Sequence, residues 1–444
     1  MRGPLLVSGP LVADAPGDAR RGRLEGIFPA LRADPERSEA ARSAWAALWR
    51  SRVLVWASGI VAGVAFSQAH DARVFFNPRG LTSGLGSVGE VLAGPAARWD
   101  GAYYLTIATH GYGDLNSPAN HLLAFFPLYP LLVKIVGVVM PVILAGVLIS
   151  IVALGFALYG VHRLSTLEWA RGAAAMRGRA PETAGLAVLL LAFSPMAVFF
   201  SADYTESLFM ALAVATFLCA RHGRWMWAGV AGLLAGATRS PGVLLLLPTL
   251  VLYLYGPRED RLPDRRPART LASRLLPRYD VRWDVLWLAL IPLGLLAFFA
   301  GLQIAGGHAL SPLTTQHTAW ERHTADPVVV IWDAIKQTVI DHHGNEVIQL
   351  AALLAAAIAT VGVLRRLPLA YGLWMIAALI EPLSDPEPEL LISTARFVAV
   401  LFPIAMWLAL WLTDHPRLRT PTLLVFGATL VYVTWKFALW HFVA

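Results

Sequence analysis

The 444-residue sequence holds one cysteine, Cys219, so no disulfide can form within the chain and cysteine usage says nothing about compartment. Cys219 lies inside an apolar run and reads as a small packing residue. Charge is also scarce. Asp, Glu, Lys and Arg make up 15% of the chain against 57% hydrophobic residues, and the mean hydropathy is +0.58. That balance excludes an ordinary soluble enzyme. The basic loops lack a Gly-rich phosphate loop, a Walker-type signature or a DxD-like cluster, so no nucleotide cofactor is expected. No His-Glu-x-x-His pattern occurs, and the adjacent His342 and His343 point to different helix faces, which speaks against a metal site. The first 44 residues contain no apolar core, so no cleavable signal peptide is expected there, and the run 53–69 is expected to serve as an uncleaved anchor. The net charge of +7 does not imply nucleic acid, because in so apolar a chain the placement of charge matters more than its sum.

What the sequence has in quantity is membrane-length apolar stretches. Runs near 53–69, 141–161, 183–200, 206–220, 225–238, 241–255, 285–305, 347–364, 368–382, 397–413 and 421–441 approach the roughly 20 residues a helix needs to cross a bilayer. They predict an all-α polytopic membrane protein with about 11 transmembrane helices and two large outer loops, 70–140 and 306–346. With the N-terminus inside, the segments 1–52, 163–179, 221–224, 256–284, 365–366 and 417–419 are cytoplasmic and carry 27 of the 36 Lys and Arg. Such an excess on one side fixes orientation. The expected division is a mobile basic tail over 1–52 and a transmembrane domain over 53–444, with an Arg-rich cytoplasmic loop at 256–284. The stretch "AFFPLYPLLVKIVGVV" (124–139) is read as an interfacial or re-entrant helix on the outer face. Its two prolines and Lys134 weaken a crossing, and counting it would put the Arg-rich loop outside.

Acids, aromatics and nine of the twelve histidines collect on the outer side. In "RWDGAYYLTIATHGYG" a helix starting near Trp99 sets Asp100, Tyr103, Tyr104 and Ile107 in one stripe. Asp100 there either caps the helix or acts as a general base flanked by aromatic platforms for sugar rings. "FFSADYTESLF" (199–209) places Asp203 and Glu206 where one span exits and the next enters, with capping by Asp203 or Thr205 as the plainer reading. "AGATRSPG" (235–242) puts Arg239 at an outer turn, and "ISTARFVAVLFP" (392–403) puts Arg396 at the outer mouth of a span. Either arginine can snorkel to headgroups or grip a lipid-linked phosphate with its planar fork. Arg322, in the second outer loop, is a third candidate for that phosphate. The same loop offers Gln316 and Trp320 for substrate binding, alongside Trp99, Tyr103, Tyr104, Asp203 and Glu206. His317, His323, Asp326, Asp341, His342 and His343 read as solvated loop groups, and "SDPEPE" (384–389) as a proline-stiffened loop.

Taken in order, "RWDGAYYLTIATHGY", "AFFPLYPLL", "FFSADYTESLF", "WAGVAGLLAGATRSPG", "HTAWERH" and "ARFVAVLFP" resemble the PIG-V family of mannosyltransferases, part of the GT-C superfamily of polytopic glycosyltransferases. The matches span roughly residues 95 to 403. The resemblance implies a GT-C-like bundle and an inverting transfer of mannose from a polyprenyl-phosphate carrier on the extracytoplasmic face, without a nucleotide cofactor. It places Trp99 and Asp100 on the family's first-loop motif. The long basic N-terminus and the loop 256–284 depart from the eukaryotic members, which extend a glycosylphosphatidylinositol anchor. The acceptor is left open among glycolipid, glycan and protein hydroxyls.

The expected location is the plasma membrane, multi-pass, with the bilayer and a lipid-linked sugar as partners and no nucleic acid. The competing reading is a transporter or flippase of lipid-linked sugars. A carrier is expected to show internal repeats and polar groups near the midplane, whereas here the polar groups gather at the outer ends.

Overall fold

The computed structural model describes residues 34–66, 86–117, 119–171, 178–264, 276–340, 344–384 and 390–443. Among these residues every regular element is helical. The first helix, α1 (Pro35–Ala65), starts where the Asp34 carboxylate accepts from the amides of Glu36 and Arg37 at 3.0 and 3.2 Å, with proline at its first position. It then runs unbroken through the boundary expected at 52/53. Ala40, Ala44, Ala47 and Leu48 are buried along it, a small-residue stripe that lets neighbouring helices approach closely. The mobile tail expected over 1–52 is corrected accordingly: residues 35–52 form the first half of a packed helix. Residues 1–33 lie outside the described residues.

The centre of the bundle is α5 (Val142–Ala170), packed against α6 (Ala180–Ala192), α7 (Glu206–Arg221) and α1. On one flank α8 (Trp225–Gly236) lies between α7 and α10 (Leu290–Ile304). On another, α9 (Leu246–Tyr255) packs on α14 (Leu369–Ser384), while α13 (Gly344–Arg366) meets α14 and α16 (Pro403–Asp414). The last helix, α17 (Arg419–Ala438), lies along α1. By length and composition, the stretches Val142–Ala170, Trp283–Ile304, Val347–Arg366 and Pro416–Ala438 are long and apolar enough to cross a membrane. Shorter apolar helices occupy Ala180–Ala192, Trp225–Gly236, Ser240–Tyr255 and Leu369–Ser384.

Smaller elements gather at one end. These are α2 (Gly86–Leu92), α3 (Asp100–His110), α4 (Leu128–Val136), α11 (Ser311–Thr318), α12 (Pro327–Ile340) and α15 (Thr394–Ala399). Helix α4, the stretch in doubt as a crossing, has nine residues and so reaches about 14 Å, too short to span.

Two buried polar features fix how the bundle is held. Helix α6 stops at Ala192, just before Pro195, and resumes as a 3₁₀ turn at Ala197–Phe200. Arg52, 1% exposed, reaches from α1 into that break and donates to the Ala192 and Ala197 carbonyls at 3.3 and 2.7 Å and to the Ser201 hydroxyl at 2.6 Å. Backbone groups freed by a broken helix must find such partners away from water. At the opposite end, Arg221 pairs with Glu168 at 2.5 Å, and Tyr371 donates to the same carboxylate at 2.8 Å. Arg258 stacks on Trp225, Tyr253 and Tyr279 and forks onto Asp260, tying the Arg-rich loop to the helix ends.

Candidate functional site

Helix α3 starts from an unusual backbone. Trp99, just ahead of Asp100, has φ 53 and ψ −124, a conformation that costs a bulky residue on the order of 1–3 kcal/mol. The Asp100 amide donates to the Tyr204 hydroxyl at 3.1 Å, and that hydroxyl donates to the Arg98 carbonyl, also at 3.1 Å. The first turn is thus held from behind while the carboxylate faces forward. There, Arg396 of α15 donates Nη1–H to Asp100 Oδ2 at 2.6 Å, and its Nε lies 3.3 Å from Glu206 Oε1. Arg239, which follows α8, donates to the same Glu206 oxygen at 2.5 Å and to the Thr205 hydroxyl at 3.3 Å. The four charges form one chain, Asp100–Arg396–Glu206–Arg239. Burial works against the charge of Arg396, but the carboxylates of Asp100 and Glu206 outweigh it and raise its pKa.

Exposure separates the two acids. The Asp100 side chain is 21% exposed and that of Glu206 is 1%. Asp100 lines a cleft of about 430 Å³, together with Tyr104, Arg239, Gln316, Trp320, Arg322 and Arg396. Glu206 lies behind that wall, in the first turn of α7, where the helix dipole favours a carboxylate. Much of the remaining lining is apolar, with Phe126, Phe209, Val243, Leu244, Leu295 and Phe299 on its walls.

Backbone strain marks the same place. The described non-glycine residues with positive φ are Trp99, Glu321, Leu391, Ser393 and Trp440. Ser393 lines the cleft, Trp99, Glu321 and Leu391 each adjoin a lining residue, and Trp440 stands two positions before one. Strained residues persist where the surroundings over-determine them, and they cluster at binding and catalytic sites.

The structure therefore brings Asp100, Tyr104, Arg239, Gln316, Trp320, Arg322 and Arg396 to one cleft, with Glu206 directly behind. Others fall elsewhere. Trp99 is turned away, 6.0 Å from the Trp440 ring and 5.3 Å from Phe442. Tyr103 meets Trp320 edge-on at 6.1 Å and supports it rather than lining the cleft. Asp203, expected to bind substrate, is corrected. It is fully buried against Gly146, where an added Cβ would come within 2.2 Å of its Oδ1, and neither of its carboxyl oxygens finds a hydrogen-bond partner. Burial pushes its pKa well above the usual carboxylate range, as expected of a neutral acid. Thr205 occupies the N-cap position of α7 without capping it, its hydroxyl lying 3.3 Å from that of Tyr104.

Of the loop groups, His317 Nδ1 lies 2.8 Å from the Arg322 carbonyl. Among the described residues no group of three or more His, Cys, Asp or Glu is placed to hold a metal. Asp341, His342, His343 and residues 385–389 lie outside the described residues. Glu381 and Phe442 are among the cleft residues that escaped the sequence reading. Glu381 accepts from the Ser240 hydroxyl at 2.7 Å, and an acid inside the apolar run "MIAALIEPL" was the signal for it. Phe442 lies far from every motif and gave no signal.

The sequence model of the family described as Mannosyltransferase (PIG-V) matches residues 47–251, a range that holds Asp100, Glu206 and Arg239, and it bears out the resemblance read from the motifs. The GPI alpha-1,6-mannosyltransferase 2 of Rattus norvegicus is 33% identical over 182 residues, 39% of this chain and 35% of its own length. The Homo sapiens protein of the same name is 32% identical over 174 residues, 36% of this chain and 32% of its own. The chain thus spans about a third of the length of the curated relatives it matches. A solved Archaeoglobus fulgidus oligosaccharyltransferase tethered with an acceptor peptide aligns with 76% of this chain and 50% of its own, at 14% identity and a TM-score of 0.37. That likeness is too distant to carry an argument.

Proposed function

We propose that this protein is a PIG-V-type membrane mannosyltransferase, with about eleven crossings of the plasma membrane and its cleft on the extracytoplasmic side. It moves mannose from a polyprenyl-phosphate carrier to an acceptor hydroxyl with inversion at the anomeric carbon. The observation that carries this reading is the Asp100–Arg396 contact at 2.6 Å on the wall of a cleft whose lining combines charged side chains with many apolar ones. A lipid-linked sugar phosphate has the same two-part chemistry. Helices α10 and α14 each pack on the 3₁₀ turn Ser240–Leu245 and each contribute to the cleft lining. The apolar lining supplied by Val243, Leu244, Leu295 and Phe299 suits the carrier's chain.

In this scheme the acceptor oxygen attacks the anomeric carbon as its proton passes to Asp100. The bond from that carbon to the phosphate oxygen breaks, and the phosphate leaves with the bonding pair. Arg396, Arg239 and Arg322 stabilise the charge that develops there, which counts most when the donors are already in place. At rest Asp100 is neutralised by Arg396. A phosphate that engages Arg396 frees the carboxylate to take a proton. Tyr104, Gln316 and Trp320 hold the sugars.

The test uses purified protein in lipid nanodiscs with radiolabelled polyprenyl-phosphate-mannose, no nucleotide and a chelator present. Label should pass to an added hydroxyl acceptor, or slowly to water. Asp100→Asn keeps the shape and removes the basicity, so turnover should fall by about 10²–10⁴-fold while the donor still binds. In sealed proteoliposomes, movement of intact lipid-linked sugar from one leaflet to the other without bond cleavage would establish a flippase instead. Unchanged turnover in Asp100→Asn would remove Asp100 as the base.

A further inference from the structure

We infer that residues 440–443 act as a buttress that sets the spacing between Asp100 and Arg396, with Trp440 and Gln349 as positioning residues. The inference deepens the transferase reading and rests on it for its kinetic part only. After α17 the chain reverses at Trp440, which has φ 62 and is 1% exposed. Its ring lies 4.9 Å from the Arg98 guanidinium and 6.0 Å from the Trp99 ring. Phe442 meets Trp99 edge-on at 5.3 Å and lines the cleft beside Asp100. One residue further, the Val443 carbonyl accepts from Gln349 Nε2 at 3.1 Å. The other end of that amide, Gln349 Oε1, accepts from the Ala395 amide at 2.8 Å. Gln349 is 4% exposed, and Ala395 directly precedes Arg396.

Trp440 and Phe442 therefore touch the residues just before Asp100, and Val443 reaches the residue just before Arg396 through Gln349, although the two members of the ion pair are 296 positions apart in sequence. Neither half holds itself. Helix α15 has six residues and no side-chain cap, too short to be stable alone. Helix α3 starts from the strained Trp99, a conformation kept only by what presses on it. Trp440 and Phe442 are among the side chains that press on Trp99, and through Gln349 the same segment reaches α15.

Two measurements on nanodisc-embedded protein test this. Gln349→Leu removes both bonds at similar volume, Trp440→Ala removes the ring, and Trp440→Phe restores an aromatic face. Gln349→Leu and Trp440→Ala should lower kcat for mannose release by about 10- to 100-fold, the cost of misplacing a reacting group. KM for polyprenyl-phosphate-mannose should stay within about threefold, and Trp440→Phe should recover most of kcat. The second measurement needs no turnover. In amide hydrogen exchange the effects should cross over, with Gln349→Leu raising exchange at 98–104 and Trp440→Ala raising it at 394–399. If Trp440→Ala does not fold, Gln349→Leu and Trp440→Phe carry both readouts. Exchange that rises only beside each substitution, or an unchanged kcat in Gln349→Leu, would overturn the buttress. Crossed exchange in a protein that never cleaves the donor would retain the buttress and discard the transferase reading.

Discussion

Four charged side chains meet at the head of the cleft, and their order decides which substitutions are informative. Glu206 is almost fully buried between Arg239 and Arg396, so deleting either arginine removes one of its two partners. Breaking a buried pair in this way typically costs about 3–5 kcal/mol, and an alanine variant alone would confuse folding with catalysis. Lysine keeps the charge and gives up only the planar fork. Arg396→Lys and Arg239→Lys are therefore expected to remain folded and partly active, and the alanine variants to lose about 10²–10³-fold in turnover. Steady-state kinetics beside a thermal melt in detergent separates the two effects. Full activity in both alanine variants would remove these arginines from phosphate binding. Asp203 gives the contrast. Its carboxyl is pushed towards the neutral form by burial and does not reach the cleft, so Asp203→Asn should turn over within about threefold of the parent. An inactive but folded Asp203→Asn would reinstate it as a substrate-facing acid.

At the scale of elements, the break in α6 shows why one part of the fold could be read from sequence and another could not. The periodic stripe behind Asp100 and the apolar runs are local patterns, and the helices Asp100–His110, Val142–Ala170 and Arg419–Ala438 follow from them. Arg52 looked like one more basic residue of an N-terminal tail. Its role depends on carbonyls 140 and 145 positions away, and no local pattern announces contacts of that kind. Phe442 and Gln349 stayed hidden for the same reason, whereas the arginines of the site were legible because each stands as a lone charge at the edge of an apolar run. Arg52→Ala leaves the Ala192 and Ala197 carbonyls and the Ser201 hydroxyl without their donor. Each such loss costs about 1–3 kcal/mol, so the variant should melt well below the parent in detergent, with Arg52→Lys in between. A melt within error of the parent would mean that other groups or water satisfy the break.

For the whole molecule, α7 serves as a ruler. Its sixteen residues span about 24 Å, with Glu206 at the cleft and Arg221 at the far end beside Glu168. Asp100, Arg239 and Arg396 gather at the Glu206 end. Pairs made by basic residues of the segments read as cytoplasmic gather at the other, including Arg171 with Glu259, Arg258 with Asp260, and Arg419 with Glu182. Exposed Trp45 and Trp49 in the first half of α1, Trp227 in the first turn of α8 and Trp283 ahead of α10 also stand towards that basic end, as interfacial anchors do. An excess of Lys and Arg marks the cytoplasmic side, so the cleft should open outward. Arg258 is itself buried in an aromatic stack, which makes the exposed Leu262 beside it the better reporter. On a Cys219→Ala background, Thr324→Cys should react in intact cells with a membrane-impermeant maleimide, and Leu262→Cys only after the cells are opened. The reverse pattern would turn the protein over and put the cleft in the cytoplasm, where a nucleotide-sugar donor would have to be considered. Labelling of both from outside would show that the stretch 124–139 crosses after all. A nine-residue helix makes that costly, because its ends would leave backbone groups unpaired within the hydrocarbon.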